Sequence, residues 1–165
     1  MANCCCPGAA ETTDCPSVCP ASGTKGIPVA VGTVKALVTA RALSRLAAVE
    51  HRFCADPSCD VVYFDAHGGC FTRRDLQVAV WQKEPAGDRA ICYCFDETEA
   101  AIREEIRTIG HSSAVDRVRA HVAARRCACE VRNPRGACCL GELIAAVERI
   151  QCEAGAAVPS AAVRV

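Results

Sequence analysis

Cysteine is the residue type in this sequence whose number and spacing point to chemistry. The chain of 165 residues contains 15 cysteines, and the stretch 125–139, RRCACEVRNPRGACC, holds two on each side of the turn-forming residues 133–136. Such a density is typical of disulfide-stapled domains and of metal centres. With only four Phe, two Tyr and one Trp to build cores, two small domains of this size depend on covalent or metal cross-links for part of their stability.

Metal binding explains these cysteines better than disulfide bonding. The sequence begins MANCCCPG and shows neither the basic start nor the apolar run of an export signal. No stretch approaches the roughly 20 apolar residues of a membrane span. We therefore expect a cytoplasmic protein without membrane insertion, in which thiols stay reduced, and the odd number of cysteines also argues against a closed disulfide framework.

Charge and motifs exclude several classes of function. The 19 basic residues balance the 19 acidic ones, so there is no overall positive field and no nucleic-acid partner is expected. No Ser-His-Asp or His-Cys arrangement argues for hydrolysis, and no Gly-rich dinucleotide loop occurs. We expect no catalytic residues, and the only reaction that the sequence leaves open is reduction of a metal ion by a bound redox group.

Two cysteine pairs in the first half have the spacing of a zinc site. A C-x3-C pair and a C-x4-C pair are separated by a middle-sized segment, and each includes a proline suited to a tight loop. Each loop can bring both thiolates to one tetrahedral ion, with Zn–S distances of about 2.3 Å. The predicted zinc ligands are Cys15, Cys19, Cys54 and Cys59. The alternatives are that His51 or His67 replaces one cysteine, or that all four are small core residues.

The cysteines of the second half have the spacing of a [2Fe–2S] site, which needs four thiolates. Cys92 and Cys94 form a C-x-C pair before a predicted helix, and Cys129 with the adjacent Cys138 and Cys139 precedes the last predicted helix. Unsatisfied N–H groups at helix starts favour the negative charge of such a cluster. The cysteine spacing therefore predicts a cluster between these segments.

Arginines surround the later cysteines of this second group. A [2Fe–2S] centre with four thiolates carries a charge of about −2, and about −3 when reduced. Arg125, Arg126, Arg132 and Arg135 would stabilise the reduced form if they lie close to it. The alternative is that they form an ordinary solvated face.

The elements predicted to position these cysteines differ between the two halves. In the first half, residues 32–38 read as a helix with a second turn at 42–48, and residues 60–65 read as a strand that turns at 67–69 into a strand near 76–81. In the second half we expect a helix capped by Asp96 and Glu99 and stopped by Gly110, a helix from Ser112 or Ser113 to Val122, and a helix from Leu140 to Glu153.

The predicted fold class is therefore α+β, a small zinc-binding β/α module followed by a small all-helical [2Fe–2S] domain. A charged segment with Pro and Gly, 83–89, separates the two. The predicted organisation has four segments: a flexible cysteine-rich tail (1–12), a zinc-binding domain (13–84), a helical [2Fe–2S] domain (90–153) and a disordered tail (154–165).

The order of these motifs closely resembles the amino-terminal region of CopZ-type copper chaperones. The resemblance covers about residues 13–150: the C-x3-C and C-x4-C pairs, the DVVYF that follows, ICYC at 91–94, and CEVRNPRGACC at 129–139. The second half also resembles the bacterioferritin-associated ferredoxin domain. The G-M-T-C-x-x-C loop with which such chaperones hold copper(I) does not occur in these 165 residues.

The resemblance implies a zinc ion, a [2Fe–2S] cluster and particular cluster ligands. On it the cluster ligands fall on Cys92, Cys94, Cys129 and either Cys138 or Cys139. Cys139 is preferred because it directly precedes the final helix, as the last ligand of the ferredoxin domain does. Cys127 competes with Cys129 as the third ligand, but the match of the following residues favours Cys129.

The function implied is that of an iron–sulfur metallochaperone in soft-metal homeostasis, with reduction of copper(II) to copper(I). The cargo would be copper(I), or mercury or arsenic, and a metal-transporting ATPase or another metallochaperone would be the partner. The triplet Cys4-Cys5-Cys6 offers soft thiolates for such an ion. The alternative function is an electron-transfer or redox-sensing ferredoxin with a structural zinc domain.

Overall fold

The computed structural model describes residues 16–156. The predicted ligand Cys15, the triplet Cys4-Cys5-Cys6, the predicted tail over 1–12 and most of the predicted tail over 154–165 lie outside the described residues. Within residues 16–156, buried apolar side chains form two larger cores, one from residues 29–80 and one from residues 91–150, and a smaller cluster around Cys19, Cys54 and Cys59. We call residues 16–83 the first module and residues 90–156 the second module.

The first module is a four-stranded antiparallel sheet in the order β1-β2-β3-β4. The strands are β1 (Ile27–Val29), β2 (His51–Phe53), β3 (Val61–Asp65) and β4 (Cys70–Thr72). All five residues of β3 are buried, as its β-branched and aromatic composition predicts for an interior strand. β3 therefore anchors the core of this module.

Two short helices lie between β1 and β2. They are α1 (Val31–Leu37) and α2 (Ala40–Leu43), and Thr39 caps α2 by accepting a hydrogen bond from the N–H of Ala42. Val34 of α1 and Ala42 of α2 are fully buried against Phe53 and Tyr63 of the sheet. Both helices thus pack an apolar face, through Val34 and Ala42, against the sheet.

The second module is mainly helical. Its elements are β5 (Ala90–Cys92), β6 (Glu97–Thr98), α3 (Glu99–Ile109), α4 (Ala114–Ala123), α5 (Cys129–Arg132) and α6 (Leu140–Ala156). Helix α6 packs against both α3 and α4, with Leu143 and Ile150 buried beside Ile102. The loop of the β5–β6 hairpin carries Cys94, so this hairpin presents cysteines to the helices.

The predicted fold class is confirmed, with differences in individual elements. The helix ending at Gly110 and the last helix are confirmed, whereas the predicted strand near 76–81 is wrong. The strand that pairs with β3 begins at Cys70, directly after the tight turn, and 81–83 is a 3-10 helix. The predicted cap at Asp96 is also wrong, because Thr98 caps α3 through the N–H of Ala101.

The two modules touch through specific contacts as well as through the chain. Helix α1 packs against α5, and the buried Tyr63 hydroxyl donates to the carbonyl of Pro134 at 2.8 Å. Thr33 of α1 donates to the carbonyl of Glu130. Gly136 has φ 65° and lies where a Cβ atom would come within 3.0 Å of the Thr33 hydroxyl oxygen, so this turn favours glycine on both counts.

The segment between the modules is held to both of them. Arg89 donates to the buried carboxylate of Glu99 at 2.6 Å and to the carbonyl of Glu84 at 2.9 Å. The Tyr93 hydroxyl donates to the carbonyl of Ala79 and accepts from the N–H of Trp81. The charged composition of 83–89 therefore supplies local hydrogen bonds.

No helix within residues 16–156 is long and apolar enough to cross a membrane.

Candidate metal centres

Three of the four predicted zinc ligands form one compact thiol cluster in the first module. The sulfurs of Cys19, Cys54 and Cys59 lie within 4.8 Å of one another, and those of Cys19 and Cys59 are 3.9 Å apart. Two thiolates on one tetrahedral zinc ion at about 2.3 Å are separated by about 3.8 Å. The arrangement of the three thiols therefore fits one tetrahedral ion.

Each loop that carries these thiols is closed by its own hydrogen bonds. The N–H of Cys19 donates to the carbonyl of Thr24 at 2.8 Å, which folds the first loop back onto itself. Asp56 accepts from the N–H and the hydroxyl of Ser58, and this turn brings Cys59 towards Cys54. These local hydrogen bonds thus help to place the sulfurs of both loops.

Hydrogen bonds and burial shift the pKa values of these thiols in opposite directions. Burial raises the pKa of Cys19, but hydrogen bonds from the backbone and hydroxyl of Ser22 outweigh it and lower that pKa to about 7. Burial raises the pKa of Cys54, which outweighs the hydrogen bond from Ser22. One thiol of the cluster is therefore ready to lose its proton near neutral pH, as a metal ligand must.

Lys83 is a buried cation at this cluster that sequence reasoning did not identify. Its side chain is 4% exposed and its ammonium donates to the carbonyls of Asp56 at 2.7 Å and Cys59 at 3.0 Å, both in the second ligand loop. Within residues 16–156 it forms no ion pair. A buried ammonium needs a compensating negative charge, which a zinc ion with four thiolates supplies.

Other residues near the cluster take different roles. Cys70 is partly buried against the three thiols, although its sequence position after the hairpin turn gave no signal of this. His51 is buried and binds the carbonyl of Val49 and faces Asp65, and His67 is exposed in the hairpin turn. Neither histidine belongs to the thiol cluster.

The four predicted cluster ligands of the second module lie together as two pairs. The sulfurs of Cys94 and Cys129 are 3.7 Å apart, and Cys92 and Cys139 are buried in the same core, where each thiol shifts the pKa of the other. They come from four places in the chain: β5, the β5–β6 turn, the start of α5 and the residue before α6. A binuclear centre needs two such pairs, one on each iron, with tetrahedral sulfur coordination.

Cysteines that are close in sequence differ in how much they are exposed to solvent. Cys139 is 2% exposed and packs in the core of the second module, whereas Cys138 is exposed. Cys129 is buried, while Cys127 is partly exposed. The structure thus brings Cys139 and Cys129 to the inner side and leaves their neighbours outside the two pairs.

Backbone N–H groups point at the inner thiols. The N–H of Ala128 donates to the sulfur of Cys94 at 3.4 Å. A hydrogen bond from Cys139 lowers the pKa of Cys92 to about 6, helped by the N–H groups of Phe95 and Cys94 and opposed by burial. The pKa of Cys139 is raised by the same bond and by burial, and burial with the neighbouring Cys94 raises the pKa of Cys129 to about 12.

The two buried thiols differ in acidity, because the pKa of Cys92 is lowered and that of Cys139 is raised. N–H donors directed at sulfur are the interactions that stabilise thiolates around iron–sulfur centres. The residues present therefore fit a cationic binuclear centre.

Comparison with known proteins finds a matching family and a relative of known structure. Residues 16–77 match the zf_CopZ family, described as a zinc binding domain. The copper chaperone CopZ of Archaeoglobus fulgidus is 33% identical over 121 residues, which cover 73% of this chain and 57% of the chaperone. The X-ray structure of the Archaeoglobus fulgidus CopZ N-terminal domain superposes with a TM-score of 0.65 at 32% identity, over 78% of this chain and 95% of that domain.

The extent of these matches defines the relationship. The chain spans 57% of the length of the copper chaperone, but it covers 95% of the solved amino-terminal domain. The chain therefore belongs to the CopZ family, through the part of that family represented by its zinc-binding amino-terminal domain.

Proposed function

We propose that this protein is a metallochaperone of soft-metal homeostasis that holds a zinc ion and a [2Fe–2S] cluster in two separate thiol centres. The observation that carries the proposal is the different arrangement of the two thiol groups. One is a compact group around a single point, and the other consists of two close pairs. The first suits one ion and the second suits two bridged ions.

In this proposal the zinc ligands are Cys19, Cys54 and Cys59 together with Cys15. The ion would replace the protons of these thiols and cross-link the loop before β1 to the loop after β2. Lys83 would offset part of the negative charge of the four thiolates. Zinc would then contribute to folding of a module whose core is small.

The residues that would hold the cluster are Cys92 and Cys139, which are buried in one core, and Cys94 and Cys129, whose sulfurs are 3.7 Å apart. A [2Fe–2S] cluster, when bound, exchanges one electron at a time, which is the stoichiometry for reducing copper(II) to copper(I). The chain buries Cys92 and Cys139 and directs the backbone N–H of Ala128 at the sulfur of Cys94. The relative named as a copper chaperone supports copper as cargo.

Metal content and colour of single variants test the two centres. Protein purified anaerobically should contain one zinc ion per chain and show the absorbance of an iron–sulfur protein. Cys54→Ser should lose zinc, and Cys94→Ala or Cys129→Ala should lose the cluster, because each thiolate completes the coordination of an ion. Cys127→Ala is the matched control, since its thiol lies outside the two pairs.

Two results would contradict the ligand assignment. Full zinc in Cys54→Ser would reject the first centre, and loss of colour in Cys127→Ala with colour retained in Cys129→Ala would move the third cluster ligand by two positions. Removal of residues 1–10 tests the cargo role of Cys4-Cys5-Cys6. Loss of tight copper(I) binding against a competing chelator supports a carrier, whereas equal affinity favours the electron-transfer ferredoxin.

A further inference from the structure

Three exposed arginines lie beside the second thiol group without the partners that their neighbours have. Arg125, Arg126 and Arg132 are exposed, and no carboxylate of the part of the chain described lies within ion-pair distance of them. Arg117, Arg119 and Arg135, in the same region, each bind an acidic side chain. We call Arg125, Arg126 and Arg132 the arginine face.

A series of contacts connects this face to the cysteine pair nearest the surface. Arg126 Nη1 lies 3.3 Å from His121 Nδ1, and the His121 ring stacks on Phe95 with centroids 4.1 Å apart. Phe95 directly follows Cys94, whose sulfur is 3.7 Å from that of Cys129. Cys94 is partly exposed, whereas Cys92 and Cys139 are buried. Ring contacts through His121 and Phe95 therefore connect Arg126 of the arginine face to the residue next to the partly exposed Cys94.

The arginines share their segment with one exposed apolar side chain. Val131 of α5 is 41% exposed and lies next in sequence to Arg132. Residues 125–132 contain three arginines and one acid, Glu130, in a chain whose overall formal charge is zero. Arginine is enriched at protein interfaces, and a local excess of positive charge beside an apolar side chain suits a protein-docking surface.

We propose that the arginine face is the docking surface for an acidic patch on a redox partner protein that exchanges electrons with the cluster, and this rests on the cluster of the proposed function. Local positive charge speeds the encounter with an acidic partner even when the net charge is zero, because the field within about one Debye length of the surface decides the orientation. The contacts from Arg126 through His121 and Phe95 would then place the partner near Cys94 and the cluster that it would help to hold.

Nucleic acid fits this surface less well than an acidic protein. The face has three arginines, too few to follow a phosphate backbone over several nucleotides. Its nearest aromatic ring, Phe95, is already covered by His121 and is not free to stack on a base. An acidic protein patch needs local positive charge beside an apolar contact, which is what Val131 and the arginines provide.

The test uses the metal-loaded full chain and two double variants matched in charge. Arg125→Glu with Arg132→Glu changes the arginine face, and Arg41→Glu with Arg74→Glu changes two exposed arginines of the first module that also lack ion pairs in the described part of the chain. Binding of a fluorescein-labelled oligoglutamate peptide is measured by anisotropy at low ionic strength. Oxidation of the dithionite-reduced protein by hexacyanoferrate(III), which takes one electron from the cluster, is followed by stopped flow as salt increases.

Wild type and the Arg41/Arg74 variant should bind the peptide alike, and the arginine-face variant about 10-fold more weakly. The oxidation rate of wild type and of the Arg41/Arg74 variant should fall as salt is added. The oxidation rate of the arginine-face variant should not depend on salt. Equal peptide binding and equal salt dependence in the two variants, with the cluster absorbance intact, would overturn the docking surface alone. Tighter binding of an oligothymidylate of matched charge through the same arginines would also overturn it, and absence of cluster absorbance in the wild type would instead reject the proposed function.

Discussion

In both modules, residues of other chemical types contact and support the thiols. Ser22 donates to sulfur in the first thiol cluster, and the N–H of Ala128 does so in the second module. Lys83 brings a buried positive charge to the zinc loop. Such supporting groups hold metal ligands in position and set how readily they lose protons.

We predict that Lys83→Met weakens zinc binding by about 10-fold, as expected when a charged group that supports a metal site is removed. The ammonium would no longer offset the thiolate charge or hold the carbonyls of Asp56 and Cys59. Zinc affinity is measured by competition with a chromogenic chelator. Lys35→Met, on the exposed side of α1, is the control, and an affinity equal to that control in correctly folded Lys83→Met would show that Lys83 does not support the site.

Helix termini fix where the cysteines of the second module lie. α3 ends at Gly110, whose φ of 82° is the left-handed conformation of a helix C-terminus. α6 begins immediately after Cys139, whose carbonyl accepts from the N–H of Leu143 at 2.9 Å. The start of α6 thus determines the position of a cluster ligand, and the packing of α6 on α3 and α4 keeps it there.

Two glycine substitutions should change stability in opposite directions. Gly110→Ala should lower the free energy of unfolding by about 1 kcal/mol, because alanine is strained at positive φ. Gly141→Ala, in the first turn of α6 with open space around the added Cβ, should raise it by about 0.5–1 kcal/mol through higher helix propensity. Urea unfolding of the metal-loaded proteins measures both, and destabilisation by Gly141→Ala would show that this turn is not an ordinary helix.

At the scale of the whole molecule, the first module supports the cluster-binding loop of the second. Tyr63 binds the carbonyl of Pro134, Thr33 binds that of Glu130, and Gly136 packs against Thr33. These contacts reach the chain between Cys129 and Cys139. The backbone that carries Cys129 and Cys139, two of the proposed cluster ligands, is therefore held from outside its own module.

Thr33→Val should shorten the lifetime of the cluster in air although Thr33 contacts no cysteine of the second module. Losing about 1 kcal/mol of hydrogen bonding to the carbonyl of Glu130 should make local opening of this loop about 5-fold more frequent. Decay of cluster absorbance measures it. Thr72→Val, which removes a hydrogen bond to Asp75 within the first module, is the control, and equal decay of the two variants would mean that the contact between the modules does not protect the cluster.

The sequence alone determined the features that depend on local pattern. Paired cysteine spacings separated the two thiol groups, and the apolar periodicity with Gly110 at its end predicted α3, because helix formation and termination are decided over a few residues. The resemblance to the CopZ family rested on the same short motifs. The strand predicted near 76–81 failed because the tight turn at 67–69 lets pairing begin at once, which a β-propensity pattern does not reveal.

Only the tertiary structure shows how differently the neighbouring cysteines are exposed. The motifs already favoured Cys129 and Cys139, and the packing of α6 on α3 and α4 supplies the physical reason that Cys139 is buried while Cys138 is exposed. Lys83 reads as part of a charged linker, yet contacts with a loop more than twenty residues earlier bury it at the first thiol cluster. Burial and charge compensation arise from contacts between segments far apart in the chain, and local residue patterns do not specify such contacts.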